Sequence, residues 1–203
     1  MTTIVHPADI RSAEILGSIR RTFADKGFDG ASMQDLARAA GMSVGNFYRY
    51  FPSKAAMIEA IVLRDMIEME QDFARIIKSP DPMLHLRLTI MQHITGRECA
   101  TDTSLWAEIT AASLRKPEVA EIVARMETRI LSNLISVFSR ATGLAEPEAR
   151  DRFGAHALLI MMLVKAASPD GSHGPTQNAD LRTLMERTID RTLNEISSSD
   201  LKA

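Results

Sequence analysis

Apolar positions recur at intervals of three and four along almost the whole chain, and no stretch alternates at two for long enough to mark a strand. The periodicity predicts helices throughout. The first runs from Pro7 or Ala8 to about Lys26, with Leu16, Ile19 and Phe23 on one face, and Gly27 stands where a left-handed residue would stop it. The second is short. Ser32 is its N-cap, Asp35 three residues on resembles a capping box, and Met33, Leu36, Ala37 and Ala40 make the inward stripe. Gly41 ends it, and Ser43 caps a third helix through Tyr50. Pro52 breaks the chain, Ser53 caps again, and a long helix covers 54–78. Beyond the "SPDP" break at 79–82, helices are expected near 83–98, 104–115, 117–141, 147–167 and 179–196, with a polar turn at 168–178. The expected fold class is all-α, with about nine helices: an N-terminal three-helix unit and a larger C-terminal helical bundle.

The second and third helices, joined at Gly41-Met42-Ser43, have the form of a helix-turn-helix. Ala37 is small where two crossing helices must approach, and Gly41 takes the chain through a turn that a Cβ would strain. Four of the ten aromatic residues crowd into Phe47–Phe51. On a helical wheel Phe47 and Phe51 share an inward face, while Gly45 and Arg49 share the opposite one. Tyr48 and Tyr50 flank that outer face with hydroxyls able to reach outward. Such a surface suits a DNA major groove. Arg49 can bond guanine bidentately, Asn46 can bond adenine or a phosphate, and Gly45 lets the backbone come close. Lys54, at the start of the fourth helix, stands beside backbone N–H groups that also attract phosphate.

Charge changes this picture only locally. The net charge of −2 excludes a polycation, but residues 11–54 carry seven basic and four acidic groups, the sign that phosphate binding requires. The stretch "FADKGFDGASMQDLARAAGMSVGNFYRYFPSKAAMIEAIV", Phe23 to Val62, closely resembles the N-terminal domain of the TetR family of transcriptional regulators. The resemblance implies a DNA-binding domain over 1–53 and an effector-binding and dimerisation domain over 54–203, with helix 54–78 connecting them. It implies phosphate contacts for Ser32, Ser43, Tyr48, Tyr50 and Lys54. Base or groove contacts are implied for Gln34, Val44, Gly45, Asn46 and Arg49. Val44 stands where family members have a polar residue, and it either meets a thymine methyl or joins the inward face beside Phe47. Pro52 replaces a commoner polar or basic residue, which would remove one phosphate contact.

Past Pro82 no motif is diagnostic. "ALLIMMLV", residues 157–164, is apolar around the whole helix, and the last helix adds Leu181, Leu184, Met185, Ile189, Leu193 and Ile196. Two such helices from each of two chains would make a four-helix homodimer interface, through 147–167 and 179–196; the alternative is a central core helix of a single chain. A pocket for a small, mainly hydrophobic effector is expected among Phe73, Met91, His93, Trp106, Ile109, Met126, Ile130 and His156, although plain core packing is the commoner role of each residue type.

No chemistry points to an enzyme. The five histidines form no His-x-x-x-His pair, none follows a Glu by three residues, and no Gly-rich phosphate loop is present. No metal and no cofactor are expected. Cys99, the sole cysteine, is either a small buried filler or a redox sensor, and it permits no internal disulfide. Without a signal peptide, and with a longest apolar run of eight residues, the protein is expected to be cytoplasmic and free of membranes. The function expected is a homodimeric, ligand-released repressor of a palindromic double-stranded DNA operator. The rivals are a helical protein-interaction adaptor and a small-molecule-binding protein with no DNA role.

Overall fold

A computed structural model of the chain describes residues 7–95, 100–167 and 179–197. Among them are nine α-helices and no strand: α1 Pro7–Lys26, α2 Met33–Ala39, α3 Val44–Tyr50, α4 Lys54–Lys78, α5 Pro82–Thr95, α6 Ala100–Ser113, α7 Pro117–Thr142, α8 Glu146–Ala167 and α9 Ala179–Ser197. The polar turn expected at 168–178 lies outside the described residues, as does Cys99. The all-α expectation holds, and the helix ends shift by a few residues where side-chain caps decide them. Asp81 Oδ1 accepts the Leu84 amide at 2.9 Å, so α5 starts at Pro82, where a proline costs no backbone hydrogen bond. Gly27 and Gly41 sit at φ +73° and +63°, the left-handed stops that the spacing predicts for α1 and α2.

The described helices group into two compact units. The first comprises Met1–Asp65 with Cys99–Ala124, and the second Met66–Glu98 with Arg125–Ala203; α4 and α7 are divided between them. In the first unit Ile15, Ile19, Thr22 and Phe23 of α1 are buried, with Leu36 and Ala37 of α2, Phe47 of α3 and Ile58, Ile61 and Val62 of α4. Leu16, expected on the inward face, is only half-buried, and Ile15 takes the deeper place. Each fully buried Leu, Ile or Phe contributes roughly 1.5–3 kcal/mol. α6 adds Leu105, Ile109 and Ala112 to this core.

Short helices such as α2 and α3 cannot sustain themselves by propensity, so caps matter. Asp35 N donates to Ser32 Oγ at 3.1 Å, and Ser32 N donates back to Asp35 Oδ2 at 3.1 Å. Lys26 Nζ lies 2.8 Å from Asp35 Oδ1. The Lys26 ammonium, followed by the Ser32 hydroxyl and amide, holds the Asp35 carboxyl well below its ordinary value of 3.8. A carboxyl depressed in the folded state stabilises above its unfolded pKa and loses that contribution as pH falls through the folded value. Wild type and Asp35→Asn should therefore differ in thermal midpoint at neutral pH and converge as pH falls below about 4. Calorimetry across pH 2–7 (roughly the carboxylate range) measures this; a gap that does not narrow toward the acid end would remove Asp35 from the cap.

The second unit closes around Ile76, Leu86, Ile90, Ile94, Leu134, Ile135, Phe138, Phe153, Ile160, Ile189, Leu193 and Ile196. Phe138 and Phe153 meet edge to face at 6.3 Å between ring centroids. Arg87 on α5 ties α9 through Asp190 at 2.9 Å and Asn194 at 2.6 Å. On α8, Ala157, Ile160 and Met161 are buried, whereas Leu158, Leu159 and Met162 are exposed, as is Leu184 on α9. Among the described residues no helix is long and apolar enough to cross a membrane.

Candidate nucleic-acid interface

Two tight joints aim α3. Met42 N donates to Ala37 O at 2.9 Å across the Gly41 turn, and Asn46 N donates to the Ser43 hydroxyl at 3.4 Å. Phe47 is completely buried, and its ring stands 5.4 Å from that of Phe51, which is half-buried just past the helix end. With its back anchored this way, α3 turns Gly45, Asn46 and Arg49 to the outside, all exposed. Tyr48 and Tyr50 flank them at 47% and 60% exposure. Nothing lies within 4 Å of where a Gly45 Cβ would be, so the site has open space rather than a packed neighbour. Val44 is 39% exposed, so of its two readings the inward one does not describe its placement.

The remaining candidates lie around this face. Gln34 is exposed on α2, one turn before Arg38. The Ser32 hydroxyl donates to Asp35 Oδ2 at 2.6 Å while capping α2, so its proton is engaged within the protein. Lys54 Nζ donates to Phe28 O at 2.6 Å and Asp29 O at 3.1 Å and stands 5.2 Å from the Phe28 ring centroid. An ammonium carries three N–H donors, so one is left for a ligand.

Electrostatics sharpen the choice of cations. Arg20 is paired with Asp65, Lys26 with Asp35, and Arg115 and Lys116 with Asp29. Arg38 and Arg49 are exposed, and their guanidinium groups have neither an ion pair nor a hydrogen bond among the described residues. Arg38 was not singled out from the sequence. Its position four residues after Gln34 was the available signal.

The effector candidates do not share one unit. Trp106, half-buried, and Ile109, fully buried, belong to the first. Phe73, Met91, His93, Met126, Ile130 and His156 belong to the second, where Phe73, Met91 and Ile130 pack against its core, Met126 is half-buried and His93 is exposed. His156 sets its ring edge-on to Phe153 at 5.7 Å, its Nε2 lies 3.7 Å from Glu195 Oε2, and its Nδ1 is buried with no hydrogen-bond partner among the described residues. Nowhere among the described residues do three His, Cys, Asp or Glu side chains gather as a metal site would require.

Three comparisons bear on this geometry. Residues 15–61 match the family model described as bacterial regulatory proteins, tetR family. The HTH-type transcriptional regulator UidR of Escherichia coli K12 is 32% identical over 125 residues, covering 61% of this chain and 60% of that relative's length. Among solved structures, Salmonella enterica GusR superimposes with a TM-score of 0.71 at 24% identity, covering 95% of this chain and 100% of that one. Bacillus subtilis FadR in complex with stearoyl-CoA does so with a TM-score of 0.61 at 20% identity, over 92% and 97%. At these identities the structural likeness concerns the fold, which continues past the matched N-terminal stretch through the C-terminal helices. A turn-linked helix pair with its aromatics divided between core and surface and a family model that spans that pair agree: the N-terminal stretch, residues 15–61, is similar to the tetR family of bacterial regulatory proteins.

Proposed function

We propose that the protein is a cytoplasmic, DNA-binding transcriptional regulator that acts as a homodimeric repressor of a palindromic operator and is released by a small, mainly hydrophobic effector. The observation that carries this is the outer face of α3: Gly45, Asn46 and Arg49 exposed, with Phe47 wholly buried behind them. Arg49 and Asn46 would read base edges, with Gln34, Val44 and Gly45 lining the groove. Ser43, Tyr48, Tyr50 and the third donor of Lys54 would meet phosphates, and Ser32 would join them by turning its hydroxyl from Asp35. The head, residues 1–53, would deliver α3, and 54–203 would carry dimerisation and sensing. Two heads would address half-sites about 34–36 Å apart or a multiple of that spacing.

The exposed apolar side chains Leu158, Leu159, Met162 and Leu184 support pairing of α8 and α9 with a second copy. For the effector, Phe73, Met91, His93, Met126, Ile130 and His156 are the candidates in the second unit, and Trp106 and Ile109 in the first. The complex of the Bacillus subtilis protein with stearoyl-CoA favours an apolar ligand as the first class to try. α4 is one continuous helix from Lys54 to Lys78, so a ligand-dependent shift of its C-terminal half would reach the head.

The test is a pull-down of fragmented genomic DNA by the purified protein, followed by titration of the enriched duplex at rising salt. The expected result is enrichment of one or a few palindromes, with affinity that falls steeply between about 50 and 200 mM salt. Enrichment no better than bulk DNA, or binding indifferent to salt, would favour the adaptor instead.

A further inference from the structure

The loop between α1 and α2 is gripped at three consecutive residues from α6 and the turn that follows it. Phe28 N, just past the end of α1 and without a helical acceptor, donates to Glu108 Oε2 at 2.9 Å. The same carboxylate closes over Gly27, where a Cβ would come within 3.0 Å of Glu108 Oε2. Next along, the Asp29 carboxylate takes Arg115 and Lys116 at 3.2 Å each, and Lys116, before Arg115, holds its pKa below the ordinary carboxylate value. Lys116 Nζ also stands 5.4 Å from the Phe28 ring, which is buried and stacked on Phe23 at 5.6 Å. Every one of these groups lies within the first compact unit.

This loop ends at Ser32, the cap that starts α2, and α2 leads through the Gly41 turn into α3. A shift of the loop therefore moves the base of the helix pair. The Asp29 pairs are exposed and individually weak. The Phe28 bond differs: a charged acceptor meets a backbone N–H, a stronger and more directional contact.

We infer that Glu108 is a positioning residue for DNA recognition, fixing the pose of the helix pair through the Phe28 amide without touching nucleic acid itself. The inference rests on the DNA-binding reading above. A positioning role and a merely stabilising one separate in their readouts. Misplacing the helix pair weakens base readout while leaving diffuse phosphate attraction in place, whereas partial unfolding lowers both together.

The experiment compares wild type, Glu108→Ala, Glu108→Asp and Glu108→Gln on the enriched duplex and on an unrelated duplex of equal length, with helicity and melting recorded for each. Glu108→Ala should lose specific affinity by about tenfold or more, the scale of a charge-assisted hydrogen bond. Affinity for the unrelated duplex and helicity at the assay temperature should stay as in wild type. Glu108→Gln keeps a carbonyl acceptor and should restore most of the loss; Glu108→Asp, one methylene shorter, should not. Should Glu108→Ala fail to fold, the Asp and Gln pair carries the same contrast. Specific affinity unchanged in Glu108→Ala, equal behaviour of Asp and Gln, or parallel loss on both duplexes with falling helicity would overturn the inference. A wild type that selects no duplex at all would instead overturn the DNA-binding function.

Discussion

Phe47→Ala should cost about 3–5 kcal/mol, the usual penalty for deleting a buried phenylalanine. The ring has no exposed surface, packs beside Phe51 and is the one wholly buried side chain of α3. Against a total stability of roughly 5–15 kcal/mol for a typical domain, that loss is large. Because α3 has only seven residues, it has little else to hold it to the core. The head should therefore melt well below the wild-type midpoint and lose DNA binding with it. Tyr48→Ala, on a half-exposed neighbour, should stay within about 1 kcal/mol of wild type. Differential scanning calorimetry of the two variants decides this; equal midpoints would mean that α3 is anchored elsewhere.

Arg49→Ala should have the largest effect on recognition. A bidentate arginine–guanine contact is worth about 1–3 kcal/mol of base discrimination, so specific affinity should fall roughly tenfold to a hundredfold. Binding to unrelated duplex should change far less, and the preference at one operator position should relax. Lys54→Ala makes a useful contrast. Its ammonium meets no base in the proposed arrangement and also holds Phe28 O and Asp29 O. Its loss should weaken binding to all sequences alike and lower the melting temperature as well. Quantitative binding to a panel of single-base operator variants separates the two, and a flat response to Arg49→Ala across the panel would take that residue out of base readout.

The helices were legible because their signals are local. The 3.6-residue period, the Ser32–Asp35 box and the two glycines that end α1 and α2 all act within one or two turns. So was the division of the aromatics, which follows from a wheel and the burial of Phe47. What escaped was long-range. Glu108 lies 80 residues from Phe28, and no periodicity in either segment encodes that bond. Lys54 read as a cation waiting for phosphate because its two carbonyl partners come from a loop 25 and 26 residues away. The packing of α6 in the first compact unit was hidden for the same reason. Val44 could not be placed from its type, since an apolar residue at the start of a short helix fits either face. Ile15 over Leu16 was a choice of about 100° on the wheel that only the partner helices make.

The most direct test is contact itself. A photoreactive benzophenone side chain placed at Asn46, and in a second protein at Arg140 on α7, would be irradiated in complex with the enriched duplex, and the cross-linked nucleotide mapped. A surface of α3 lying in the major groove predicts efficient cross-links from position 46 to bases within each half-site and none from position 140. Cross-links from 46 no more frequent than from 140, or confined to free duplex ends, would contradict it.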